Sequence, residues 1–558
     1  MLIGIDVGGT FTDGVLCAKG KVLKMAKHPT DEENLQNSIF TVLDDLLQGI
    51  EGSNITQVVL STTLVTNLLA TGKGDNAALV LIPGPGLNLR EMELLPNTYI
   101  ASGAIDFRGR IIELLDKAEI KEIGAQIEAA GLQKVAVVGK FSQRNNSHER
   151  QVEKILLEKY PHFEIIKGFE VSGQLNFLRR AATTYYTAIT KEKWSGFATR
   201  IKKAVRERGI TCPLNILKAD GGTMPLEVSL NYPCETVFSG PAASVMGAFA
   251  LTMDRKTSVV VDIGGTTTDL ALILEGKPLY ASRGAKLGGH YTHVRSFAVR
   301  SIALGGDSAI RWMEGKLTIG PERLGPAACF GGPTATPTDA ANLLAEDKLG
   351  NPELSGQALK QLSLQAGLTV EKLAQSILHE VNIKLETNIK EMFKSWEEEP
   401  AYRIWEIVNK KPVKLERVIG VGAAARAFLP ALAQLLDCSP LVHHYSPVAN
   451  ALGAAVARPT LSLLLHADTQ RETYSVNLEG ITGKIDRNFQ LKDAKELAQK
   501  QLRKIARDRG LGQYADRDDF FLEEQFNMIR GWSTVGKRFD VGIQIASGVI
   551  DEFEGVQP

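Results

Sequence analysis

One eight-residue phrase occurs twice in this chain: Asp6-Val7-Gly8-Gly9-Thr10-Phe11-Thr12-Asp13 returns as Asp262-Ile263-Gly264-Gly265-Thr266-Thr267-Thr268-Asp269. Each copy lies between apolar runs, residues 2–5 and 14–16 in the first case and 259–261 and 270–274 in the second. An apolar run, a glycine turn and a returning apolar run read as a β-hairpin. The glycine pair lets the backbone take positive φ and approach a ligand, so successive amides can converge on phosphate oxygens. The threonine hydroxyls add donors, and the aspartate at each strand end can hold a metal-bound water or activate a water. A single turn of this kind more often just shapes a hairpin. Two copies with matching flanks are what two facing phosphate-binding lobes require.

At 558 residues the chain exceeds one compact core, and ordinary domain sizes suggest roughly three or four domains. The expected divisions are residues 1–172, then 173–459 with a helical insertion at about 341–400, and a C-terminal α+β region at 460–558. Lys plus Arg and Asp plus Glu number 64 each, which gives no electrostatic reason to expect nucleic acid or an anionic membrane as partner. Five scattered cysteines without a Cys-x-x-Cys pair argue against a disulfide framework and a cysteine zinc site. No signal peptide and no run of the roughly 20 apolar residues that a membrane helix needs is visible, so a cytoplasmic protein is expected.

In chain order, periodicity predicts a helix over 31–48 with Asp31 as N-cap, and a strand at 58–60 leading into Ser61-Thr62-Thr63-Leu64-Val65-Thr66-Asn67. That cluster either lines a cleft or caps a helix through Ser61 or Thr62. His148 reads as a helix-capping or exposed residue, or as a ligand contact. A long helix at 174–208 carries Arg179 and Arg180, which are either solvated or within reach of a phosphate or carboxylate. Asp220-Gly221-Gly222-Thr223 is an imperfect third echo of the phrase. Ser239-Gly240-Pro241 opens a small-residue helix whose free amides suit an anion, or whose small side chains allow close packing. The His290-x-x-His293 pair lacks a third ligand at a diagnostic spacing and reads as ordinary loop or strand. Gly305-Gly306-Asp307-Ser308 predicts a strand-to-helix turn with candidate ligand contacts. Gly420 and Gly422 form a further strand-turn-helix, read as an adenosine platform or as a tight turn, and a small-residue helix at 450–457 is expected to pack on it.

Together these phrases resemble the hydantoinase A and 5-oxoprolinase family, which includes subunits of ATP-dependent acetone and acetophenone carboxylases. The matching stretches are 6–13, 61–67, 141–149, 179–184, 219–222, 239–248, 262–269, 320–339 and 420–453, in the family's order. The resemblance implies two α/β lobes of the actin, hexokinase and Hsp70 type (ribonuclease H-like), with ATP and Mg2+ between the hairpins. Asp6 and Asp262 would then be the catalytic and metal-holding residues. Gly8, Gly9, Thr10, Thr12, Gly264, Gly265, Thr266 and Thr267 would hold phosphates, with Gly305, Gly306, Gly420 and Gly422 completing the nucleotide site. The chain departs from the family at Ala303-Leu304-Gly305-Gly306-Asp307-Ser308 and at Ala219-Asp220-Gly221-Gly222, each time placing an acid in the expected cleft.

The implied activity is ATP-dependent activation of a cyclic amide or imide, or of a carbonyl substrate, by phosphoryl transfer. A hydantoinase B-type subunit and a homo- or hetero-oligomer are the expected partners. Two alternatives stay open: a small-molecule kinase of the same fold, marked by a stable phosphorylated product, and an Hsp70-like or activator-type ATPase, marked by turnover that responds to a protein.

Overall fold

Both glycine phrases close antiparallel hairpins with the same register. In the computed structural model, which describes residues 1–31, 34–346, 348–399, 413–478 and 480–556, strand Leu2–Val7 pairs with Phe11–Ala18 and strand Ser258–Ile263 with Thr268–Leu274. Asp6 stands opposite Asp13, and Asp262 opposite Asp269. The turn bonds match as well: the Gly8 N–H donates to the Phe11 carbonyl and the Gly264 N–H to the Thr267 carbonyl, each at 3.0 Å.

The duplication extends beyond the hairpins. Leu2–Val7 has Gln57–Thr62 as its parallel neighbour, just as Ser258–Ile263 has Arg417–Val421. Parallel neighbours need a long crossover. The first crossover contains helix Leu35–Leu47, and the second contains Pro337–Leu344, Pro352–Ala366 and Val370–Glu397, in the stretch where a helical insertion was expected at about 341–400. Pro400, where that insertion was expected to end, lies outside the described residues, as do residues 32–33 of the predicted helix 31–48. The helix starts at Leu35 with Asn34 as its N-cap, and the Asp31 carboxylate accepts from the Asn34 N–H at 3.0 Å.

The first hairpin belongs to a six-stranded sheet whose far side is built by Leu214–Leu217 and Thr223–Pro225, strands that follow the boundary expected at 172. A second, four-stranded parallel sheet takes Glu164–Lys167, Lys134–Gly139, Ala77–Ile82 and Thr98–Ile100. Every residue of Ala77–Ile82 is buried, as a parallel strand covered on both faces requires. The C-terminal sheet is antiparallel, ordered Thr482–Lys484, Thr473–Val476, Leu461–Asp468, Ser533–Ile545 and Asp518–Arg530. Helix Leu491–Asp508 covers it with Ala494, Ala498, Leu502 and Ile505, one stripe at helical spacing.

The Gly305-Gly306 turn leads into a strand, Ser308–Met313, and the predicted helix is absent there. Glu314 and Gly315 both take positive φ, 51° and 73°, which closes a tight hairpin onto Lys316–Arg323. Two-residue hairpin chemistry outweighed the helical reading.

Candidate functional site

Small residues decide how the lobes meet. Helix Ala449–Val456 is wedged between strand Leu2–Val7 and helix Ser239–Thr252. A Cβ on Gly4 would stand 2.0 Å from the Ala451 carbonyl oxygen, one on Gly247 2.2 Å from the Ala449 oxygen, and one on Gly453 2.3 Å from the Gly247 nitrogen. Only glycine admits backbone this close. The predicted helix 450–457 therefore packs against the first lobe's strand and helix Ser239–Thr252.

The wedge delivers Asn450 to the gap between the hairpins. Its Nδ2 donates to Asp6 Oδ2 and to Asp262 Oδ2, each at 3.2 Å. Ser244, from helix Ser239–Thr252, donates a short hydrogen bond to the same Asp262 oxygen. Asp6 is only 4 % exposed, and its Oδ1, like Asn450 Oδ1, has no partner among the described residues. Burial, reinforced by the charges of Asp13 and Asp262, pushes the Asp6 carboxyl up to about 7. Burial and Asp262 push Asp269 up to about 6. Burial also raises Asp13, against the opposing pull of Lys27, whose Nζ sits 2.6 Å from it. Asp6, Asp13 and Asp269, at matched hairpin positions, are thus all raised by burial.

Above the acids the two turns approach each other. A Cβ on Gly265 would lie 3.3 Å from Thr10 Oγ1 and 2.7 Å from Asp307 Oδ2. The Gly305–Asp307 turn is fastened to the second hairpin: the Gly306 N–H donates to the Gly264 carbonyl at 2.9 Å and the Asp307 N–H to the Gly265 carbonyl at 2.8 Å. Arg323 balances Asp307 at 3.2 Å. The hydroxyls of Thr10, Thr266 and Thr267 make no side-chain hydrogen bond to a described residue, and Gly9 and Gly264 are exposed at the tips. Thr12 is placed differently. It is fully buried and bonds Thr30, which in turn bonds the Gly8 carbonyl at 2.9 Å, so it braces the turn from beneath.

Gly422, at φ +87°, lies beside Asp262, since a Cβ there would stand 3.4 Å from Asp262 Oδ1. Gly420 is buried within strand Arg417–Val421, where a Cβ would meet Ala425 at 2.7 Å, so it serves helix packing. Asn450, Ser244, Asp13 and Asp269 escaped the sequence reading. Asp13 and Asp269 close the repeated phrase itself, and Asn450 is the one polar residue opening an otherwise small apolar helix.

Other singled-out residues are used structurally. Arg180 is 1 % exposed and donates to the Gly139 carbonyl at 2.7 Å, the Gln174 carbonyl at 2.8 Å and Gln143 at 3.0 Å, so it is neither solvated nor directed at a ligand. Its buried counter-charge is Glu149, which accepts from the Gly139 and Phe169 amides. His148 is buried, with neither ring nitrogen partnered among the described residues. Asp220 accepts from Thr460 at 2.9 Å and from the Gly222 N–H at 3.0 Å, which assigns the third glycine echo to a turn locked against the start of the C-terminal sheet. Ser239 exchanges bonds with the Thr62 backbone, tying its helix to the end of strand Gln57–Thr62. Thr62 Oγ1 accepts from the Leu64 N–H at 3.3 Å.

His293 bonds Ser172 through Nδ1 at 2.7 Å, and its Nε2 is shielded without a partner among the described residues. Burial, together with Arg180 and Arg179, pulls its pKa down to about 3. A histidine held neutral in the fold and free to charge when unfolded stabilises the fold above about pH 6.5, and that contribution is lost as pH falls from 6.5 towards 3. The His293→Gln chain should lose stability less steeply between pH 6.5 and 4, by up to ~1.4 kcal/mol per pH unit. Urea melts at several pH values measure this, and parallel slopes in both proteins would refute it.

Beside Asp269 opens a cavity of about 890 Å3, lined by Thr63, Pro241, Tyr291 and Trp396 together with Arg179 and Arg300. Arg179, Arg283 and Lys286 all stand within 6 Å of the Tyr291 ring, at 5.9, 5.7 and 5.6 Å. The cavity combines apolar walls with a few convergent cations, the usual composition of a small-molecule site.

Sequence comparison places this geometry among known proteins. The Hydantoinase/oxoprolinase family matches residues 180–462, and the Hydantoinase/oxoprolinase N-terminal region matches residues 2–160. The alpha subunit of caprolactamase from Pseudomonas jessenii is 25% identical, covering 70% of this chain and 62% of its own length; the 5-oxoprolinase of Saccharomyces cerevisiae is 24% identical, covering 82% and 41%. The chain thus spans about two-fifths to two-thirds of the length of these relatives. Among solved structures, nucleotide-free acetone carboxylase superposes with a TM-score of 0.71 at 18% identity, covering 99% of this chain and 88% of that one. The ATP-dependent caprolactamase of Pseudomonas jessenii gives 0.70 at 19% identity, covering 97% and 87%. The fold is common to all three. No helix among the described residues is long and apolar enough to cross a membrane.

Proposed function

Because the chain belongs to the hydantoinase/oxoprolinase family, we propose that it is the nucleotide-using part of an ATP-dependent enzyme that activates a cyclic amide, or a related carbonyl compound, by phosphoryl transfer. The observation that carries this reading is Asn450, whose single amide bridges one carboxylate from each hairpin at 3.2 Å. A buried carboxyl with an orphaned Oδ1 facing a second carboxylate suits a hard cation, which prefers oxygen ligands. No three His, Cys, Asp or Glu side chains converge to hold a metal among the described residues. Magnesium commonly takes one or two carboxylates and completes its shell with waters and phosphate oxygens, so Asp6 and Asp262 fit it.

Magnesium ATP supplies the phosphoryl group that turns an unreactive amide or carboxyl oxygen into a leaving group. The chain's own contribution is positioning and neutralisation of charge. The glycine tips of both hairpins, with the hydroxyls of Thr10, Thr266 and Thr267 that make no side-chain hydrogen bond to a described residue, can offer phosphate donors from two sides. Asn450 and Ser244 fix the Asp262 carboxylate in one rotamer. Asp269, raised by burial, stands where the cavity beside the second hairpin begins and can take or give a proton near neutral pH. The substrate occupies that cavity, against its apolar wall and arginines.

Relatives named as subunits favour an enzyme completed by a second, B-type chain. The test is phosphate release from magnesium ATP with hydantoin, 5-oxoproline or caprolactam, with and without such a chain. Stimulation by a ring amide supports the reading. A stable phosphorylated product would make the protein a kinase, and turnover that answers only to a protein would make it a conformational ATPase.

A further inference from the structure

We propose that the chain carries a second ligand site, for a small multiply charged oxyanion, in the basic cavity between the first lobe and the C-terminal sheet. The cavity holds about 970 Å3 and shares no lining residue with the hairpins. One wall is the loop bearing Phe107 and Arg108, with Arg144; the other is formed by strands Thr473–Val476 and Thr482–Lys484 and by the long C-terminal hairpin Asp518–Arg530 and Ser533–Ile545.

Seven arginine and lysine side chains line it against a single carboxylate, Asp468. That carboxylate already accepts from the Gln470 and Arg471 amides. Asp540, just behind, is shared among His466 at 2.6 Å, Arg538 at 3.4 Å and Arg144 at 4.0 Å. Arg108, Arg471, Lys484 and Arg530 have no described carboxylate within ion-pair range. In a chain whose charges sum to zero, this is a local concentration of positive charge.

Arg144 gives the second, independent observation. Its side chain is only 9% exposed, and its guanidinium makes no hydrogen bond to a described residue; the 4.0 Å approach to Asp540 is too long for one. Arg538 Nε is likewise buried, with no partner among the described residues. Removing a guanidinium from water without acceptors is costly, and burial pulls Arg144 down to about 10. An oxyanion in the cavity supplies the missing acceptors, and the arginine fork matches phosphate and carboxylate groups two bonds at a time. The forks are held ready by stacking, with Arg108 lying 5.2 Å over Phe107 and Arg538 5.3 Å over Phe526.

Calorimetric titration of the full chain tests this with two probes, sodium tripolyphosphate and citrate, which separate phosphoryl from carboxylate ligands. Besides any tripolyphosphate held at the hairpins, one equivalent of either probe should bind. Replacing two unpaired cations at the rim, Arg471→Ser with Lys484→Ser, should weaken binding at least about tenfold with unchanged thermal melting. Thr266→Val at the hairpin tip should leave citrate binding as it was. Absence of binding for both probes, equal affinity in the double variant, or loss of citrate binding in Thr266→Val would overturn the site. Hexaglutamate binding more tightly than either probe would also overturn it and assign the cavity to an acidic protein segment.

Discussion

Asp262→Asn is expected to lower ATP turnover by about 10²–10⁴-fold while the protein stays folded, the range seen when a group acting on charge or proton transfer is removed. The amide is nearly isosteric with the carboxylate, so the bonds from Ser244 and Asn450 can persist through its oxygen. What disappears is the negative charge beside Asp6. Asp6→Asn should match it in lost turnover and differ in stability. An aspartate raised from 3.8 to about 7 keeps its proton in the fold after the unfolded chain has released it, so wild-type stability falls as pH rises from about 4 to 7. Without that carboxyl the fall should vanish, leaving Asp6→Asn at least as stable as wild type at pH 8. Phosphate-release assays and chemical melts at pH 5 and 8 decide both parts. Full turnover in either variant would remove the hairpins from the chemistry.

Gly453→Val should cost several kcal/mol of stability and nearly all turnover, although residue 453 touches neither carboxylate. Overpacking commonly costs ~1–3 kcal/mol where side chains can yield. Here the obstacles are backbone atoms: a Cβ would meet the Gly247 nitrogen at 2.3 Å and the Ala243 oxygen at 2.5 Å. The helix can relieve this only by backing away, which withdraws Asn450 from Asp6 and Asp262. Gly453→Ala is the graded control, with a smaller loss in both. Thermal melting and turnover measured together show whether the two fall in step. A Gly453→Val protein that melts normally would mean that the two helices are not held in such close contact.

Several elements were legible because their signals are local. The paired phrases carried their own strands, turn and register, since apolar runs and glycine turns act over a few residues. The alternation of strands and helices indicated α/β lobes. Misreadings arose where local signals compete. The Gly305–Gly306 turn resembled a strand-to-helix turn, and the hairpin closed by Glu314 and Gly315 overrode it. Asp31 looked like an N-cap because nothing local showed that its carboxylate would turn back onto Asn34.

Burial was beyond sequence reading altogether. Arg180 and Arg179 are neighbours of one type, yet Arg180 is enclosed with Glu149 while Arg179 reaches the cavity beside the second hairpin. A helix facing two environments separates adjacent residues by about 100° of rotation, and only packing says which side is the interior.

The chain by itself therefore determined the two hairpins, their glycine tips and the acids Asp6 and Asp262, because these depend on contiguous residues and on the conformational freedom of glycine. Only the tertiary structure decided that one amide, that of Asn450, bridges the two acids. Asn450 is 444 residues from Asp6 and 188 from Asp262, and no local preference relates such positions. Their meeting depends on Gly4, Gly247 and Gly453 letting one helix enter between a strand and another helix, and contact across such separations is set by packing.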